Sequence, residues 1–184
     1  MKIGKYVVAM LFLLSSAVAY SKDLSSVVIS NGRAYVTTPM GKKQAILASG
    51  ATSQFDAKFI DLTFNGYADL LILRDRGANQ EFYNVYLYSK EKDAYIYDKQ
   101  LSDVPCLKVD NKKKELVGQC FHESACENWE EYYSVSPEGR ISLVERKGTY
   151  CDPISGQGYS YSDRFRNRKK ISSKVVPVGN QSGN

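Results

Sequence analysis

Short alternating runs, rather than helical stripes, organise most of this chain. Val27-Val28-Ile29 and Ala34-Tyr35-Val36 flank Ser30-Asn31-Gly32-Arg33, and Asn-Gly between β-formers is a strong hairpin signal. Residues 43–47 read as another short strand before the turn Ser49-Gly50-Ala51-Thr52, and Phe59-Ile60-Asp61-Leu62 looks extended. The apolar run over 69–73 predicts a buried strand. Polar 74–80, with Gly77, reads as a loop. Three hairpins are then expected. Residues 82–89 pair with 94–97, 106–109 with 115–120, and 129–135 with 140–146 across Ser136-Pro137-Glu138-Gly139. Beyond Cys151 come Gly156, Gly158 and alternating Tyr159 and Tyr161. The pattern predicts an all-β fold, with antiparallel hairpins in sequence forming a single propeller-like or barrel-like domain. That domain is expected over residues 20–175, with 176–184 as a frayed tail.

The N-terminus departs from this pattern. Lys2 and Lys5 precede an apolar run over 6–14, and Ala17-Val18-Ala19 is a small-x-small cleavage site. Residues 1–19 therefore read as a cleaved signal peptide, because the run is too short for the ~30 Å of a bilayer core. The cleavage site has no neighbouring cysteine for lipid attachment. A periplasmic or secreted protein without a stable membrane anchor is expected.

Composition narrows the classes. The 184 residues are 43% hydrophobic and 24% charged, which excludes disordered, collagen-like and coiled-coil chains. The formal charge of +5 falls to +3 without Lys2 and Lys5, too mild to indicate nucleic acid, and no recognition motif is present. A single histidine, His122, argues against His-rich metal sites and His-based triads.

All four cysteines, Cys106, Cys120, Cys126 and Cys151, follow the export signal. An even count in an oxidising compartment suggests two disulfides. Counted outward from the hairpin turns, Cys106 falls opposite Cys120, and Cys126 opposite Cys151. These two bridges are the expected connectivity. The second is the more exposed to error, since one bulge in so long a hairpin shifts the register.

The segment Asp61-Leu62-Thr63-Phe64-Asn65-Gly66-Tyr67-Ala68-Asp69 carries oxygen-bearing side chains at loop positions 1, 3, 5 and 9 and glycine at 6. That is the ligand half of an EF-hand-like calcium loop, with Tyr67 offering its carbonyl at position 7. Calcium on Asp61, Thr63, Asn65, Tyr67 and Asp69 is one expectation. Position 12 is Ile72, so the bidentate glutamate is missing, and a weak site would need millimolar calcium to fill. The other expectation is a strand-joining turn in which Asp61 and Asp69 bond loop amides.

The string DLTFNGYADLLIL, between an export signal and a run of hairpins, resembles the D-x-N-x-D-G-Y-x-D-L segment of a family of small bacterial periplasmic proteins. These include the immunity proteins of type IV secretion systems known from Xanthomonas. The resemblance spans roughly residues 55–147 in order of features, although only the loop is motif-grade, and similar loops occur in other calcium-binding propeller repeats. It implies a propeller-like β fold and inhibition of a peptidoglycan-cleaving, lysozyme-like effector. Asn65 stands where the family has Asp, which weakens the implied calcium site.

Further candidates are few. Glu123, Glu127, Glu130 and Glu131 cluster around Trp129. A glycosidase needs two carboxylates across a cleft, but such a run is more simply a solvated face. Tyrosines 83, 86, 88, 95, 97, 132, 133, 159 and 161 suit either cross-strand packing or an exposed interface patch. Arg164, Arg166 and Arg168 fall on one face if 163–170 is a strand. They suit a protected edge or an acidic partner such as a hydrolase cleft. The expected function is binding rather than catalysis, namely inhibition of a cell-wall hydrolase through Trp129, Arg164, Arg166 and Arg168. The alternatives are a carbohydrate-binding or adhesion module using surface Trp and Tyr, and an exported enzyme using the glutamates.

Overall fold

A computed structural model of the chain describes residues 25–77 and 80–179. The expected signal peptide lies outside the described residues. Thirteen strands and two short helical turns follow in order. Strands β1 (Ser26–Ser30), β2 (Arg33–Thr37) and β3 (Lys43–Leu47) form the first antiparallel sheet. A 3-10 turn (Gln54–Asp56) leads to the second, made of β4 (Ala57–Ile60), β5 (Asp69–Arg76), β6 (Glu81–Ser89) and β7 (Ala94–Asp98). Helix α1 (Lys99–Ser102) leads to the third. Its six strands are β8 (Lys108–Asp110), β9 (Glu115–His122), β10 (Asn128–Val135), β11 (Ile141–Cys151), β12 (Gly158–Arg166) and β13 (Lys169–Pro177). The fold is all-β and antiparallel. Among the described residues the sheets are open meanders, and none closes into a barrel. No helix there is long and apolar enough to cross a membrane.

The second sheet lies between the other two, and β5 shows why. Leu70 and Ile72 join Val36, Ile46, Tyr88 and Tyr95 in one core. Leu71 and Leu73 join Tyr83, Val85, Leu101 and Leu116 in the other. Successive strand residues point to opposite faces, so a strand covered on both sides must be apolar at every position, as 70–73 is. Loss of about 1.5–3 kcal/mol for each such side chain left in water is the force that stacks the sheets.

Local signals produced the first hairpin as expected. Asn31 and Gly32 both take left-handed φ, at 50° and 69°, the geometry of a type I′ turn. Several boundaries differ, and three of them bear on the ends of the ladders. Strand β5 runs on to Arg76 instead of ending at Leu73, and the Arg76 guanidinium meets Glu81 at 3.1 Å across the ladder end. Residues 163–170 are a hairpin rather than one strand, turning at Asn167 (φ 51°) and Arg168 (φ 62°). Val176 and Pro177, assigned to the tail, belong to β13, and the Val178 amide still donates to the Gly158 carbonyl at 2.8 Å.

Both disulfides join the expected cysteines, with Cα atoms 5.9 Å apart for Cys106–Cys120 and 5.7 Å for Cys126–Cys151. Simple counting from the turns does not describe how they meet. In the β8–β9 ladder Lys108 faces Val117, which continued regularly would set Cys106 opposite Gln119. Left-handed φ at Cys106 (46°) and Cys120 (66°) breaks that register and brings the two together. In the β10–β11 ladder Val135 faces Ile141 and Tyr133 faces Leu143, but Tyr132 faces Glu145. Val144 is thus bulged out. From there Asn128 faces Thr149, the register that places Cys126 opposite Cys151. Two disulfides point to an oxidising compartment.

Candidate functional site

The loop over 61–69 is closed by its own carboxylates. The Asp61 side chain accepts the Asn65 amide at 3.2 Å and the Gly66 amide at 2.8 Å, and Asn65 Oδ1 accepts the Tyr67 amide at 2.9 Å. Asp69 is fully buried. Its Oδ2 accepts the Leu62 amide and its Oδ1 the Tyr88 amide, each at 2.9 Å, tying the loop to β6. Burial pushes the Asp69 carboxyl up to about 6, against the lowering effect of those amides. Gly66 takes φ 86°, which glycine adopts without strain. The side-chain oxygens that Asp61, Asn65 and Asp69 would offer a calcium ion are therefore already hydrogen-bonded, and an ion would have to share them. One loop oxygen is unspent, since Thr63 Oγ1 is buried without a partner.

The glutamates are dispersed. Glu130 and Glu131 are neighbours on β10 and point to opposite faces. Glu130 accepts from Gln119 Nε2 and the Tyr132 hydroxyl, both at 2.7 Å. Glu131 is buried, pairs with Arg146 at 2.5 Å and accepts the Tyr133 hydroxyl. Glu123 and Glu127 shape the β9–β10 turn, where the Glu123 amide donates to the Glu127 carbonyl at 2.8 Å. His122 is exposed and its Nδ1 lies 3.2 Å from the Cys120 carbonyl. The Glu130 and Glu131 carboxylates therefore have structural tasks, whereas Glu123 and Glu127 contribute to the turn through their backbones. Trp129 is half-buried, its ring stacked on Phe121 at 5.5 Å with the Arg146 guanidinium 5.9 Å away. Its indole N–H is buried without a partner.

The tyrosines divide between core and surface. Tyr83, Tyr88 and Tyr95 are buried, whereas Tyr97 on β7 is 48% exposed and braced by Tyr86 at 5.5 Å.

The β12–β13 hairpin has a different character. Every residue of β13 is exposed. Arg164, Arg166 and Arg168 are exposed and form no ion pair among the described residues. Lys170 is the exception nearby, held by Asp163 at 3.2 Å. Arg164 lies opposite Glu145 and helps to lower its carboxyl. Beside the hairpin tip a groove of about 670 Å³ has Leu143, the bulged Val144 and Phe165 along its wall, with Arg166 and Arg168 at its rim. A cationic rim on an apolar groove is suited to an acidic protein surface, because the charges steer encounter while the groove supplies contact area. The arginines were legible in the sequence but the groove was not, because it is lined by the bulged Val144 and by the unforeseen turn at Asn167.

A second cleft, of about 330 Å³, lies where the 61–69 loop, the β6–β7 hairpin and the β10–β11 turn meet. In the β10–β11 turn Gly139 takes φ 83°, which glycine adopts without strain, and it packs directly against the Leu87 side chain. Nothing in the sequence pattern singled the cleft out, since its walls come from three separate stretches of the chain, 63–65, 87–98 and 137–138.

Comparison of the chain with protein-family models, with curated proteins and with solved structures gives no match.

Proposed function

We propose that this protein is an exported inhibitor or immunity protein that occludes a cell-wall hydrolase of the lysozyme type, and that it is not itself an enzyme. The observation that supports this reading is the β12–β13 hairpin. It forms the edge of a six-stranded sheet and carries at its tip Arg166 and Arg168, which form no ion pair among the described residues. Glycoside hydrolases carry paired carboxylates in an open cleft, and such a cleft is the complementary surface. Arg164, Arg166 and Arg168 would meet the acidic groups, and Leu143, Val144 and Phe165 would cover the apolar rim. Cleavage of residues 1–19 and a periplasmic location belong to the same proposal. So does a propeller-like arrangement, supported by three meanders that follow one another in chain order. Calcium on the 61–69 loop is a further part, supported by its ligand spacing and by the unspent Thr63 hydroxyl. Bound there, the ion would supply structural cross-linking of the loop.

The test is titration of the oxidised mature protein into a panel of purified muramidases and lytic transglycosylases. Stoichiometric inhibition of at least one is expected. It should weaken with salt and disappear when Arg166 and Arg168 are both changed to Glu. Failure to inhibit any member, or inhibition untouched by the double reversal, would overturn the proposal.

A further inference from the structure

We propose that the protein self-associates through the free edge of β13, where residues 173–177 pair antiparallel with the same segment of a second copy around a two-fold axis at Val175. The hydrogen-bond alternation of the β12–β13 ladder defines that edge. The Val178 amide bonds the Gly158 carbonyl at 2.8 Å, and the register is regular from the Tyr159–Pro177 pair to the Arg164–Ser172 pair. Bonded and unbonded pairs alternate in an antiparallel ladder. Val176, Lys174 and Ser172 therefore bond β12, while Ser173, Val175 and Pro177 turn their main-chain groups outward. Pro177 fits an outward position, having no N–H to lose from the ladder. Strand β13 is the last of its sheet and all nine of its residues are exposed, so among the described residues nothing covers this edge.

An open edge is normally guarded by charge, proline or a bulge. The tip half of β13 has two of these, in Lys169 and Lys170 and in the irregularity at Ile171. The other half keeps only Lys174 and the terminal proline, and it exposes Val175 (46%) and Val176 (42%). Two-fold antiparallel pairing centres on one residue, which then faces its own copy. Centred on Lys174, it would set two lysines face to face, which is destabilising. Centred on Ser173, it would run each strand into the irregularity of the other. Centred on Val175, it spans the free segment from end to end. Val175 then faces the partner's Val175, and the two exchange both main-chain hydrogen bonds. Each Ser173 amide donates to the partner's Pro177 carbonyl. Each Lys174 lies opposite the partner's Val176, which its methylene stem covers, and the two ammonium groups are diagonal rather than opposed. Such an interface is used up by its own copy, so association ends at a dimer. The hairpin tips point apart, each Arg168 about 24 Å from the axis at ~3.4 Å per residue. The arginines stay accessible, and the dimer does not depend on inhibition of a hydrolase.

The experiment is sedimentation equilibrium of the oxidised mature protein between about 10 µM and 1 mM, where reversible dimerisation is expected. Val175→Lys, which sets like charges face to face on the axis, should weaken the dimer at least about tenfold. The register is read by adding single cysteines to the otherwise oxidised protein. A directly opposed, hydrogen-bonded pair holds its Cα atoms about 5.5 Å apart, within disulfide reach. Val175→Cys should therefore form a linked dimer at least about tenfold faster than Ser173→Cys or Lys174→Cys. Met40→Cys, in the exposed β2–β3 turn of the first sheet, gives the rate of random collision. A monomer throughout that concentration range, a dimer untouched by Val175→Lys, or cross-linking of Val175→Cys no faster than of the other three variants would overturn the proposal. Changing Arg166 and Arg168 to Glu should leave the dimer intact, and Val175→Lys should leave hydrolase inhibition intact, so failure here is distinguishable from failure of the inhibitor reading.

Discussion

Asp61 and Asp69 each accept two backbone amides, yet they should differ greatly in what their removal costs. Asp69 and the Leu62 and Tyr88 amides that it holds form a buried bridge between the loop and β6. In Asp69→Ala both amides lose their acceptor where water has no ready access, at about 1–3 kcal/mol each. Part of this is returned, because burying the ionised carboxylate is itself costly, as its raised pKa of about 6 shows. The net expectation is a loss of about 2–4 kcal/mol at pH 7, a large share of a typical domain's 5–15 kcal/mol. Asp61 bonds the Asn65 and Gly66 amides in an exposed turn, where water replaces it, so Asp61→Ala should cost less than about 1 kcal/mol. Urea unfolding in EGTA, followed by the fluorescence of the single tryptophan, gives both numbers. A cost for Asp61→Ala equal to or above that for Asp69→Ala would refute the burial argument.

Alkaline pH should destabilise the third sheet. Burial and the Glu130 carboxylate raise the Tyr132 hydroxyl to about 12, and burial and Glu131 raise Tyr133 as well. The native state thus holds these protons more tightly than the unfolded chain, so their contribution is complete below pH 10 and is lost as pH rises beyond it. Tyr133→Phe should flatten that fall, measured by urea unfolding between pH 9 and 11. Replacing Cys106 and Cys120 together by Ala should cost about 2–4 kcal/mol, read from the same unfolding curves, and a cost near zero would argue against a constraining role. Millimolar calcium should raise the melting temperature reversibly with EGTA, and an unchanged melt at about 10 mM would remove calcium from the 61–69 loop.

Much of the strand order was legible because its signals are local. Asn31-Gly32 determines its hairpin through backbone geometry, and the apolar run after Asp69 reports a strand covered on both faces. The 61–69 loop was legible as a set of oxygen-bearing residues, and the amide-bonded turn was one of its two expected forms. The β12–β13 turn was not legible, since Asn167 and Arg168 take left-handed φ without glycine or proline to mark it. Helix α1 was equally hidden, being four residues long behind a single Asp98 cap. The apolar pattern gives alternation but not which sheet each face meets. The two clefts, which arise from sheet stacking and from a bulge, were therefore beyond its reach.

The bulged Val144 also acts as a proofreading device. Were the ladder to form without that bulge, every position beyond Tyr133 would pair one residue off, Cys126 would face Tyr150, and the side chain of Cys151 would turn to the far face of the sheet. The long bridge can close only on a sheet whose irregularity has already formed. Oxidation of this pair is then a record of correct assembly rather than its cause. Deleting Val144 should lift the requirement, since Tyr132 would then follow Tyr133 in regular register onto Glu145 and Cys126 would still face Cys151.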